Sequence, residues 1–148
     1  MNMKNLVISL LFIACAAIAQ AQNLAVKLEA FKVLAATATR EEQFIAADEA
    51  APGDIIEYRA VYTNGSESLL RNLVPEIPIP EGLIVVAGSD VPKAASASLD
   101  RVVFSPLPLL DKDGKPVSTT ALRAFRWNIA DLAAGESVTV RIRAGVAR

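Results

Sequence analysis

The chain has 148 residues, 53% of them apolar, with 15 basic and 16 acidic side chains and a formal charge of −1. That balance provides no basic surplus for nucleic acid or anionic lipid. With no histidine and a single cysteine, the sequence lacks Ser-His-Asp and Cys-His nucleophile systems and the usual zinc and copper ligand sets.

The amino terminus reads as a leader. Lys4 is the only charge before an apolar run from Leu6 to Ala19, and Ala19-Gln20-Ala21 places small residues where a signal peptidase reads. The run is shorter than the roughly 20 apolar residues that cross a bilayer, and no comparable run follows, so no membrane span is expected. Cleavage after Ala21 leaves 127 of the 148 residues, with 14 basic and 16 acidic groups and a charge of −2. That length suits one domain with one core. The product is expected to be exported, periplasmic or extracellular. Cys15 lies inside the leader, so the mature chain has neither a disulfide nor a thiol. Phe12-Ile13-Ala14-Cys15 also loosely resembles a lipobox, which makes a lipoprotein anchored through Cys15 the alternative. Phe12 stands where leucine is usual, and the apolar run continues past the cysteine.

Residues 22–50 form an amino-terminal extension. Val26, Leu28 and Ala30 alternate with Lys27, Glu29 and Phe31, which favours a strand over Leu24–Leu34. Leu24, Leu28 and Phe31 also fit helical spacing, and the helix alternative stays open on sequence alone. Glu42 to Ala46 reads as a short strand with Phe44 inward, and Thr39 with Glu42 imitates a capping box that permits one helical turn.

Pro52-Gly53-Asp54 is a turn signature. After it, Ile56, Tyr58, Ala60 and Tyr62 share one face of a strand, with Glu57, Arg59 and Thr63 on the other, until Asn64-Gly65-Ser66 turns the chain. Pro75, Pro78 and Pro80 place Leu69 to Pro80 at an edge or in extended loop geometry. Leu83 to Ala87 reads as a buried strand, and Val91 to Ser98 as loop or weak strand. Val102, Val103 and Phe104 form an apolar cluster, and Asp111 to Lys115 reads as a hairpin turn at Asp113-Gly114. Phe125, Trp127 and Ile129 alternate before Ala133-Ala134-Gly135-Glu136, and Val138, Val140, Ile142 and Ala144 alternate after it. This pattern predicts a closing hairpin of two antiparallel strands with the aromatics in the core.

Many short strands at turn-rich spacing and no convincing helix predict an antiparallel β-sandwich of about seven to nine strands. Three segments also resemble a known family. Pro52 to Tyr58 with Tyr62-Thr63-Asn64, Asn72-Leu73-Val74 leading to Ile79-Pro80-Glu81-Gly82-Leu83, and Trp127-Asn128-Ile129 with Leu132 to Val140 are similar to the bacterial conserved-repeat domain, domain of unknown function eleven. The resemblance covers residues 51–144 in the family's order. It implies that residues 51–148 form an immunoglobulin-like domain of an exported or surface protein; by length, residues 22–148 are expected to form one globular unit. The family usually occurs in tandem copies, whereas this chain carries one. An extension at residues 22–50, a hairpin around Asp113 and Ile77 in place of a frequent aspartate are further departures. The resemblance implies no catalytic residue and no cofactor.

Chemistry by the remaining residue types is sparse. No G-x-S-x-G or S-x-x-K spacing occurs, and the seven glycines are scattered singly. Asp111 and Asp113 before Gly114 are a fragment of a calcium loop without its later ligands, and they are the one metal candidate. Arg126, Arg141 and Arg143 fall on the outward positions of the expected closing hairpin and are the partner-binding candidates, with the acidic stretch Glu41 to Glu57 as their complement in another protein or another copy. The sequence therefore points to a non-enzymatic immunoglobulin-like module for protein interaction or a structural role in the bacterial envelope. Its expected partner is another envelope or surface protein, and self-association is open. A glycan-binding module is the alternative and a carboxylate-based hydrolase the third reading.

Overall fold

The computed structural model describes residues 23–148, so the leader, its cleavage site and Cys15 lie outside the described residues. Eleven strands follow in order: β1 Leu24–Leu34, β2 Gln43–Ala46, β3 Ile55–Asn64, β4 Leu70–Leu73, β5 Glu76–Pro78, β6 Leu83–Val85, β7 Ser96–Ser98, β8 Phe104–Pro106, β9 Ala124–Arg126, β10 Ile129–Leu132 and β11 Ser137–Val146. Among the described residues there is no helix, and hence none long enough to cross a membrane. The strands form an antiparallel β-sandwich. One layer is a five-stranded sheet ordered β2-β1-β3-β11-β6; the other comprises the four-stranded β5-β9-β7-β8 and the ribbon β10-β4.

Period-two patterning builds the core. Ile56, Tyr58 and Ala60 from β3 lie beside Val140, Ile142 and Ala144 from β11, and Ile77, Ala97, Phe125 and Trp127 face them from the other layer. Burying this apolar area is the main stabilising term. The Trp127 indole also donates Nε1–H to the Pro92 carbonyl at 2.6 Å, so its one polar group is satisfied inside. The aromatic pair Phe125 and Trp127 is a core feature, as alternation predicts.

Leu24–Leu34 is a strand, paired with β3 over ten positions from Leu24↔Asn64 to Val33↔Ile55. The extension thus supplies two strands of the larger sheet. Instead of a helical turn, Thr37 to Arg40 forms a tight turn closed by Thr37 N–H to the Arg40 carbonyl at 2.8 Å. The proline-bearing β5 is an edge strand, as a residue without a donor requires.

Four expectations are corrected, the first being an inward Phe44: it lies on the outer face of the five-stranded sheet, against Phe31 and the Arg59 guanidinium. The closing hairpin is absent: β10 pairs with β4, whereas β11 pairs with β3 and β6. Alternation specifies the face each side chain takes and leaves the neighbouring strand open. The choice lies with Asn64, buried at the end of β3. Its Nδ2 donates to the carbonyls of Ser68, Leu132 and Ala133 at 2.8, 2.9 and 3.1 Å, and its Oδ1 accepts from the Ser66 N–H and hydroxyl. Gly135, at φ 74°, donates its N–H to the Asn64 carbonyl at 2.8 Å. That geometry carries the chain from one layer to the other, and glycine tolerates it without steric cost.

Leu83–Val85 is an edge strand rather than a buried one, with Leu83 and Val85 inward and Ile84 exposed. Ser96–Ser98, expected as loop or weak strand, pairs with both β8 and β9, and small side chains suit its close burial under the opposite layer. Val102 and Val103 lie outside the core altogether.

Candidate functional site

The strongest concentration of charge lies on the outer face of the five-stranded sheet. Register builds it: Phe31, Glu57 and Arg143 are cross-strand neighbours in one row, and Glu29, Arg59 and Arg141 in the next. Glu57 is only 1% exposed although it points away from the core, because the guanidinium groups cover it. Its Oε2 accepts from Arg143 Nε at 2.7 Å and its Oε1 from Arg59 Nε at 2.5 Å. Arg59 is fixed from above by two rings, its guanidinium carbon lying 4.7 Å from the Phe31 centroid and 4.3 Å from that of Phe44.

Arg143 spends its remaining donors on Glu42, with Nη1 and Nη2 reaching the two carboxylate oxygens at 2.9 and 2.7 Å. This bidentate pairing is the strong form of an arginine–carboxylate contact. The hydrogen bond from Arg143 holds the Glu42 carboxyl below its ordinary range, and the bond to Glu42 pushes the guanidinium of Arg143 up. The acidic stretch and the basic stripe do meet, then, within one chain.

Arg141 stands apart from this pairing. Its Nη1 is 3.8 Å from Glu57 Oε1, too long for a hydrogen bond, and its side chain is 41% exposed. Its backbone is held by paired bonds with Val91, both 2.9 Å, which puts Val91 beside it on the same face. The structure does not bring Arg126 to this group. Arg126 lies in the other layer, with Nε 2.9 Å from Glu76 Oε2 and its guanidinium carbon 3.5 Å above the Phe104 ring. The absence of a closing hairpin is the reason for the separation.

Asp111 and Asp113 sit in the expected turn. Asp111 Oδ1 accepts the backbone N–H of Asp113 at 2.8 Å and of Lys115 at 2.9 Å, so this oxygen is engaged in closing the turn. Among the described residues, no three His, Cys, Asp or Glu side chains gather as metal ligands.

A second surface was not anticipated. Beside the open edge of β8, Leu99, Asp100, Val103, Ser105, Pro106, Leu109, Leu110 and Val117 line a groove of about 270 Å³. At its rim Val102 is 78% and Val103 64% exposed, and Leu99 and Leu110 are exposed as well. The loop that carries the valines is held by many bonds. Asp100 Oδ1 accepts the N–H groups of Val102 and Val103, both at 2.8 Å, together with the Ser98 hydroxyl at 2.9 Å. The two backbone bonds, Val103 first, hold the Asp100 carboxyl below its ordinary range. Arg101, at φ 65°, sends Nη2 to the Ile79 carbonyl at 2.8 Å.

Two sequence signals point to what was missed. Glu57-x-Arg59 and Arg141-x-Arg143 have the same spacing of two, which places all four residues on one face once β3 and β11 are neighbours. Val102-Val103 are consecutive, and adjacent residues of an extended chain cannot both point inward. Comparison of the chain with protein-family models, curated proteins and solved structures gave no match.

Proposed function

We propose that this protein is an exported, non-enzymatic immunoglobulin-like module of the bacterial envelope that binds another envelope protein, in keeping with its resemblance to the conserved-repeat domain. The observation that carries this reading is the aliphatic rim at Leu99, Val102, Val103 and Leu110, in which Asp100 holds the two valines out on a hydrogen-bonded loop. Exposed aliphatic side chains on a loop with this many bonds cost hydration free energy that a partner recovers on burial. Pre-organisation also lowers the ordering cost of binding. The occupant that fits is a protein surface offering an aliphatic side chain to the groove, with polar groups meeting Ser105 and Asp100 at its margin.

A protein partner is favoured over a glycan because the aromatics that would stack on a sugar, Phe125, Trp127 and Tyr58, lie inside the sandwich. The test is photocrosslinking in native envelopes from positions 102 and 110, with position 67 in the exposed turn between β3 and β4 as control. One discrete protein adduct common to 102 and 110, absent from 67 and lost in a Val102→Asp/Val103→Asp variant that still folds, is the expected result. Equal labelling from all three positions, or retention of glycan without any protein adduct, overturns the proposal.

A further inference from the structure

We infer that Arg141 and its aliphatic neighbours form a receptor for a single carboxylate side chain in an extended segment of a partner protein. This surface belongs to the outer face of the five-stranded sheet and does not depend on the aliphatic rim beside β8.

Charge on the face leads to this ligand. Arg59, Arg141 and Arg143 surround two carboxylates, Glu57 and Glu42, and hydrogen bonds from Arg59 and Arg143 occupy all four carboxylate oxygens. Lys27 and Glu29 neutralise each other at 2.9 Å. One positive charge is left over, and geometry places it on Arg141, whose only acidic contact among the described residues is at 3.8 Å. The backbone that carries this guanidinium is fixed before any ligand arrives, bonded on one side to Val91 and paired on the other with β3. A fork with free donors on a rigid strand matches a carboxylate.

The flanking residues give the ligand its second property. Val91 shares the face of Arg141, and Ile84, opposite Gly145, lies four positions further along β11; both are exposed. An extended segment that places a carboxylate on Arg141, beside Val91, would lay an aliphatic side chain four positions away, on the same face of the segment, across Ile84. A polyanion fits less well, because Glu29, Glu42 and Glu57 share the face and would repel charge beyond the first.

The test uses amide and arginine Nε–H resonances of the protein, titrated with the peptide acetyl-Val-Ser-Ala-Ser-Glu-Ser-Ala-Ser-Val-amide, whose valines share the face of the glutamate, and with its glutamine counterpart. The expected result is saturable shifts at Arg141, Val91 and Ile84 with the glutamate peptide, and affinity about tenfold weaker for the glutamine peptide. Arg141→Gln should weaken the glutamate peptide to the same level while leaving the rest of the spectrum in place. Were that variant to unfold, comparison of the two peptides on the unaltered protein would still decide. Equal affinity for both peptides, or shifts confined to residues 99–110, overturns the inference. So do concentration-dependent shifts of the same resonances without peptide, since they assign the surface to a second copy.

Discussion

At the scale of single residues, Tyr58 shows how burial and polarity conflict in this core. It is one of the largest buried side chains, and its hydroxyl has no hydrogen-bond partner among the described residues. An unpaired buried hydroxyl carries a desolvation penalty that its ring must outweigh. Burial pushes the phenol from 10.0 up to about 12. The unfolded chain therefore ionises first, so stability present below pH 10 is lost as pH rises towards 12. Tyr58→Phe should be neutral or stabilising by about 1 kcal/mol at pH 7. It should also show a smaller loss between pH 10 and 12, read from urea unfolding at each pH. A loss above about 2 kcal/mol at pH 7 would mean that the hydroxyl has a partner. Tyr62 differs because its hydroxyl accepts the Glu76 N–H at 3.2 Å.

At the scale of elements, charge ties strands together that hydrogen-bond ladders alone would hold less specifically. Glu57 on β3 binds Arg143 on β11, and Arg143 in turn binds Glu42 just ahead of β2, so a short edge strand is fastened across the sheet. The Phe31–Phe44 contact, edge to face at 6.4 Å, supports the same strand from β1. Glu57→Ala would leave the Arg59 guanidinium without its acceptor beneath the Phe31 and Phe44 rings, and Arg143 with Glu42 alone. The expected cost is about 3 kcal/mol by chemical denaturation. It should come with faster amide exchange over residues 43–46, the first strand to open. An unchanged midpoint would reduce the cluster to surface charge, for which values near zero are usual.

How far these elements could be read from the chain follows from the range of each signal. Alternation within a strand is local, and it placed Ile56, Tyr58, Val140, Ile142, Phe125 and Trp127 inside correctly. Strand pairing is not local. Arg126 and Arg141 are 15 positions apart in sequence and were grouped on one hairpin, yet Asn64 sends their strands to different layers. Ser96–Ser98 gave only a weak strand signal because small residues in a central strand look like loop, and only the closeness of the opposite layer makes them fit.

At the scale of the whole molecule, the sandwich separates two surfaces of different chemistry. The five-stranded sheet offers fixed charge with one unspent guanidinium, and the β8 edge offers rigid aliphatic side chains. The residues of the two surfaces share no contact in the hydrogen bonds and ion pairs that build them. Substitutions on the two should therefore act independently, adding within about 0.5 kcal/mol in stability. Arg141→Gln should leave crosslinking from position 102 unchanged; coupled loss would show that one partner spans both surfaces.

The sequence by itself determined the all-β class, the inward and outward faces of the long strands, and the turns at Gly53, Gly114 and Gly135, because backbone preference and period-two patterning act over a few residues. Only the tertiary structure decided which strands are neighbours, that Glu57 is buried among arginines, that Arg126 is remote from Arg141, and that Val102 and Val103 are exposed. Each of these depends on contacts between residues far apart in the chain. Such contacts form only when two layers close on one another, and no local preference encodes them.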